Sequence, residues 1–144
     1  MEIGDTLGFL LGRWDVERTF EDDRAEGNGT FTGTATVAVP VTGGPARWDE
    51  RGTVHMGAHD GGAERHLLLV ARPGSLVDVR FADGRPYVDL DLASGRWHAV
   101  HLCGDDRYEI TTTVRSADEV EERWEVTGPS KAYRAHTVLR RARS

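Results

Sequence analysis

The sequence predicts an all-β fold: one antiparallel up-and-down barrel of about ten strands with a short N-terminal helix, forming a single domain over residues 1–144. Three observations predict it. From residue 13 onward polar and apolar residues alternate with period two, in runs enriched in β-branched and aromatic side chains. Short clusters of Gly, Pro, Asp and Ser separate the runs, at spacings that suit hairpins. The runs fill roughly 60% of the chain, well above an ordinary strand fraction, and closing such a sheet into a barrel removes the edges it would otherwise expose.

The helix comes first. Asp5 is placed to cap a turn carrying Leu7, Phe9, Leu10 and Leu11, and Gly12 ends it. An apolar helix there acts as a plug at one barrel end. In the first strand Trp14, Val16, Arg18 and Phe20 alternate with Asp15, Glu17 and Thr19. In the second, residues 30–39, Phe31, Gly33, Ala35, Val37 and Val39 share a face. Further runs cover 46–56, 64–71, 76–81, 87–92, 96–103, 107–115, 119–127 and 131–140. Their inward faces are read as Trp48, Glu50, Gly52 and Val54, then His66, Leu68 and Val70. Later strands give Trp97, Ala99, His101 and Cys103, then Tyr108, Ile110, Thr112 and Val114. The last two give Val120, Glu122, Trp124 and Val126, then Lys131, Tyr133, Ala135, Thr137 and Leu139. Several of these faces mix apolar bulk with ionisable groups. Such groups are costly in a solid core and tolerable around a partly polar cavity.

Composition excludes several classes. The net charge is −6, and 18 basic residues are scattered among 24 acids, so the basic stripe of a nucleic-acid footprint is missing. A single cysteine, Cys103, excludes a disulfide framework and a cysteine-cluster metal site. No apolar run approaches the roughly 18 residues of a membrane span. The expected location is the cytoplasm, and the sequence leaves oligomeric state open. Of the basic residues only Lys131 is a lysine, the cation whose pKa moves readily on burial.

The candidate site residues fall into small groups. His101 and Cys103 face Asp106 and Tyr108 across a tight turn, which gives either an acid–base patch at the rim or a packing pair with a capped turn. Lys131 and Tyr133 share a face just after Gly128-Pro129; the lysine is a base or a Schiff-base former, an anchor for an anionic ligand group, a partner of Glu122, or a cation reaching from the rim to water. Trp48, Trp97 and Trp124 wall a pocket or pack a core. His66 joins the inward-facing set. His98 and His101 are three apart on a strand and face opposite sides, and no metal-ligand spacing occurs elsewhere, so no metal is expected.

Gly12-Arg13-Trp14, after a short helix and at the start of the first strand, resembles the Gly-x-Trp signature of the calycin superfamily, which includes lipocalins, fatty-acid-binding proteins and nitrobindin-like barrels. That resemblance implies a calycin-like barrel, with a basic residue of the last strand, Arg140 or Arg141, packed over the tryptophan. Phe81-Ala82-Asp83-Gly84-Arg85-Pro86-Tyr87, Leu90-Asp91-Leu92, His101-x-Cys103, Asp106-x-Tyr108 and Trp124-x-Val126-x-Gly128-Pro129-x-Lys131-x-Tyr133 are similar to a family of uncharacterised bacterial lipocalin-like barrels, from which the chain departs at Val88 and Ala132. That family implies a barrel and no particular reaction. The nitrobindin-like resemblance implies haem with His136 as axial ligand, although parity sets His136 opposite Tyr133, on the outside.

The leading reading is therefore a small-molecule-binding barrel with no cofactor, its ligand contacts drawn from Trp48, His66, His101, Tyr108, Trp124, Lys131 and Tyr133. The alternative is a cofactor-free isomerase, cyclase or hydrolase with Lys131, His101 and Tyr108 as acid–base groups. A haem barrel is the third.

Overall fold

Asp5 opens the helix α1 (Thr6–Leu10) as its N-cap, its carboxylate accepting from the Gly8 amide at 3.0 Å. Ten strands follow: β1 (Gly12–Asp22), β2 (Gly29–Ala38), β3 (Ala46–Met56), β4 (His59–Ala71), β5 (Leu76–Phe81), β6 (Pro86–Asp91), β7 (Arg96–Cys103), β8 (Asp106–Ser116), β9 (Glu119–Thr127) and β10 (Ala132–Arg141). The structure, a computed structural model, describes residues 1–22, 27–129 and 132–142.

The strands form one antiparallel sheet in the order β6-β5-β4-β3-β2-β1-β10-β9-β8-β7. Every consecutive pair forms a ladder except β6 and β7, and β1 pairs with β10 over Trp14 to Asp22, which rolls the sheet into a nearly closed barrel. Although β6 and β7 lie side by side, the main link across their seam is a side chain: the Trp97 indole N–H donates to the Asp89 carbonyl at 3.0 Å. Gly33 and Gly52 are cross-strand partners, and a Cβ on either would strike the facing backbone, at Arg51 or Thr32. The glycines let β2 and β3 approach and the sheet curl there.

The plugged end carries most of the apolar core. Trp14, Val16, Val37, Val77, Leu92 and Val120 are almost wholly buried there. The Trp14 indole N–H donates to the Leu10 carbonyl at 2.9 Å, and Thr6 Oγ1 accepts from the Leu92 amide at 3.0 Å, so the helix is tied to both halves of the sheet. Arg141 lies over Trp14 with its guanidinium carbon 4.2 Å from the ring centroid. It donates to the carbonyls of Phe9 (3.0 Å), Leu11 (3.2 Å) and Ala117 (3.1 Å). Arg140 instead points outward to Glu17 and Glu119.

Two readings of the sequence need correction, the inward face of β4 and the turn between residues 56 and 64, and β6 carries a bulge that alternation did not indicate. In β4 the inward residues are Ala63, Arg65, Leu67 and Leu69, because Glu50 opposes Arg65 and Trp48 opposes Leu67, and directly opposed residues share a face. His66 consequently faces outward. Residues 67–70 are all apolar, so alternation carried no signal there. The β3–β4 turn falls at Gly57-Ala58, where Gly57 has φ +59°, and Asp60-Gly61-Gly62 is strand. In β6 the register shifts between Val79 and Arg80: Val79 opposes Val88 and Arg80 opposes Pro86, so Tyr87 is the extra residue of a bulge.

Candidate functional site

Among the described residues, the end opposite the helix holds two adjoining spaces that share part of their walls. The inner hollow has about 60 Å³ of room for the centres of water-sized spheres. One water needs roughly 10–15 Å³, so the hollow takes the equivalent of several waters. Trp48, Leu67, Val79, Trp97, Ile110 and Trp124 supply apolar wall, and Arg65, Tyr87, Thr112 and Glu122 supply polar groups. The outer space at the mouth is about 350 Å³ and is bordered by Arg18, Phe20, Met56 and Tyr133. Arg65 and Trp124 line both spaces and form the neck between them. Their contact is a cation over a ring face, 5.0 Å from the guanidinium carbon to the indole centroid.

A buried ion cluster borders the neck. Arg18 meets the Glu50 carboxylate in a two-pronged pair, Nη1 to Oε2 at 2.9 Å and Nη2 to Oε1 at 3.2 Å, and its Nε donates to Thr137 Oγ1 at 2.8 Å. Glu50 Oε1 also accepts from Trp48 Nε1 and from Arg65 Nη2, each at 3.4 Å. Burial alone would raise the Glu50 pKa; the charges of Arg65 and Arg18 and the bonds Glu50 accepts outweigh it and hold the carboxyl below its usual range. Burial likewise pulls on Arg18, and the Glu50 pair outweighs it, leaving Arg18 more firmly protonated than a free arginine. Arg65 is less well supplied, since its buried Nε has no hydrogen-bond partner. Glu122 accepts from the Trp124 indole N–H. The Tyr87 hydroxyl is held protonated well above the usual tyrosine range, chiefly by burial and then by the Glu122 charge.

Four rings gather on the mouth side of the seam. His101 and Tyr108 are cross-strand partners with centroids 5.8 Å apart, and His101 also meets Tyr87 at 5.2 Å and Phe81 at 5.7 Å, all edge to face.

Residues 10–141 match a family described as a family of unknown function, DUF6314. The chain belongs to that family. This DUF6314 barrel is similar in structure to the S-type phycobiliprotein lyase of Guillardia theta, at 8% identity and TM-score 0.66, with 96% of this chain and 91% of that one covered. It is similar to a Nostoc punctiforme protein of unknown function from the DUF3598 family, at 11% identity and TM-score 0.60, covering 96% of this chain and half (50%) of the other. It also resembles a de novo designed fluorescence-activating β-barrel, at 20% identity and TM-score 0.50, with 97% and 100% covered. At these identities the likeness shows the shared barrel fold. No curated protein matches the chain in sequence. No helix is long and apolar enough to cross a membrane.

Of the residues singled out in the sequence, the DUF6314 barrel brings Trp48 and Trp124 to the hollow, Tyr133 to the mouth, and His101 with Tyr108 to the ring group. Lys131 lies outside the described residues. His66 is on the outer face, its Nδ1 2.6 Å from Asp49 Oδ1 and its Nε2 3.1 Å from Glu64 Oε2. His136 is on the outer face as parity placed it, 3.4 Å from Glu121 Oε2, so an axial ligand there would lie outside the hollow. The site residues that sequence reasoning did not single out are Arg18, Arg65 and Tyr87; Glu50 and Glu122 were read as inward-facing but not as ligand contacts. The signal was the same for Arg18, Glu50 and Glu122: each is a charged residue in the apolar phase of its strand.

Proposed function

We propose that this protein is a small-molecule-binding barrel of the lipocalin-like, calycin type. Its ligand places an apolar body in the inner hollow and a polar part at the Arg65–Trp124 neck. The observation that carries this reading is the coexistence of an unfilled hollow with unused polar capacity on its wall, an expensive arrangement in a core built only for packing. Arg141 seated on Trp14 supports the calycin assignment. The likeness to a designed barrel described as fluorescence-activating supports a binding role for a frame of this shape. A cytoplasmic setting belongs to the same reading, supported by the lone, exposed Cys103 thiol.

Titration with the neutral fluorophore N-phenyl-1-naphthylamine tests the proposal. Saturable one-to-one binding with quenching of tryptophan emission is expected. Ala99→Leu, which fills the hollow from β7, abolishes it while the circular dichroism spectrum stays that of a folded barrel. Non-saturable binding, or equal binding by Ala99→Leu, would sink the reading.

A further inference from the structure

We propose that the ligand belongs to the amide or lactam class: a small planar molecule of no net charge, presenting an acceptor to Arg65 and a donor to Glu122. This rests on the small-molecule reading above and names the chemistry of its occupant.

The argument is one of charge and unfilled hydrogen bonds. Arg18 and Glu50 satisfy each other. Three Arg18 nitrogens are engaged, two of them on Glu50, and the Glu50 charge is shared between Arg18 and Arg65. Arg65 keeps only a 3.4 Å contact to Glu50 Oε1, and its Nε is buried with nothing to donate to. Across the hollow Glu122 accepts from Trp124 Nε1, and among the described residues no cation lies within ion-pair distance of it. Two cations and one anion thus flank the same indole, Arg65 (5.0 Å) and Arg18 (5.9 Å) over its ring and Glu122 at its N–H edge; of the two arginines, Arg65 is the one with an unused donor. Arg65 and Glu122 both line the inner hollow.

Consider the three kinds of guest. A carboxylate would satisfy Arg65 and confront Glu122 with a like charge in a poorly hydrated space. A cationic guest would do the reverse. A neutral group with one acceptor and one donor satisfies both and leaves the balance of Arg18, Arg65, Glu50 and Glu122 at zero. The other polar groups on the wall do not alter this order. Tyr87 and Thr112 are uncharged, and Asp89 is exposed at the seam, where water screens it and its carboxylate already accepts from Trp97 Nε1 at 3.2 Å. The 60 Å³ hollow and the 350 Å³ mouth space share Arg65 and Trp124 on their walls, so a ring at the neck draws on both.

Three near-isosteric probes separate the cases: benzamide, benzoate and benzamidine, titrated against the full chain by ligand-detected NMR near neutral pH. Benzamide is expected to bind about tenfold more tightly than either ion, the scale of one charge-assisted hydrogen bond. Glu122→Gln is expected to move the preference to benzoate, and Arg65→Gln to benzamidine. The ranking with the unaltered protein needs no variant, so a misfolded variant does not shelter the proposal. Equal binding of the three probes, or a preference for either ion, overturns the ligand class and leaves the pocket standing. Failure of all three while N-phenyl-1-naphthylamine still saturates has the same meaning. Failure of all three and of the dye overturns both proposals.

Discussion

The guanidinium of Arg141 sits 4.2 Å from the centre of the Trp14 ring, joining the last strand to the first turn of the barrel. One side chain there covers the indole face and satisfies carbonyls from the helix end and from the β8–β9 turn. Arg141→Ala should therefore cost about 2–4 kcal/mol, the sum of a desolvated cation–π contact and lost charged hydrogen bonds. Arg140→Ala, which removes exposed pairs to Glu17 and Glu119, should cost under about 1 kcal/mol. Urea denaturation of the two variants checks this, and equal losses would refute it.

Glu50 makes the barrel acid-sensitive in a predictable sense. Its folded pKa is depressed, so its contribution to stability is fully present above the unfolded carboxylate value, near 4.3, and is lost as pH falls through the lower folded value. Glu50→Gln leaves Arg18 and Arg65 without their counter-charge and should destabilise the protein at neutral pH by about 3–5 kcal/mol. It should also show a shallower fall in stability below pH about 4.3 than the parent. Urea midpoints between neutral and acid pH for both proteins decide the matter.

His66 behaves in the opposite sense. Hydrogen bonds to Asp49 and then Glu64 raise its pKa, so the stability it adds is present below the unfolded value near 6.5 and is lost as pH rises through the folded value. The pair is on the surface, so the amount is small. An NMR titration should find the His66 ring titrating above the free-histidine value. His66→Ala should leave dye binding unchanged, because the side chain never reaches the hollow. A loss of binding in that variant would contradict the β4 register.

The seam between β6 and β7 should be the most open part of the sheet. No backbone ladder joins these strands, whereas β1 and β10 pair along nine residues. Amide hydrogen exchange should be faster on the facing edges of β6 and β7 than across β1–β10. Trp97→Phe removes the N–H that bridges to Asp89 and should accelerate it further. Equal protection on both sides of the barrel would show a stronger closure than this geometry describes.

Most of the architecture was legible in the sequence because a barrel strand with one wet face and one dry face writes its orientation in every second residue. Trp14, Trp48, Trp97 and Trp124 all point the way alternation indicates. The site was less legible, for two physical reasons. In β4 the run Leu67-Leu68-Leu69-Val70 is apolar on both sides, so only pairing with β3 reveals that Arg65 is inside and His66 outside. In β6 a one-residue bulge brings both Tyr87 and Val88 to the hollow, and strict alternation admits only one of them. The buried charges Arg18, Glu50 and Glu122 were visible as violations of the apolar phase, but which cation serves which anion depends on distances across the barrel.

A cylinder slit along one line can change its calibre without breaking any rung of its wall. Here the slit is bridged by side chains, the Trp97 indole on the Asp89 carbonyl and the His101 ring against Tyr87 and Phe81, so the bore is set by side-chain fit as much as by strand number. Because the indole's acceptor is a backbone carbonyl, position 97 rather than 89 controls that bond, and a designer could widen or narrow the bore there without redrawing the sheet.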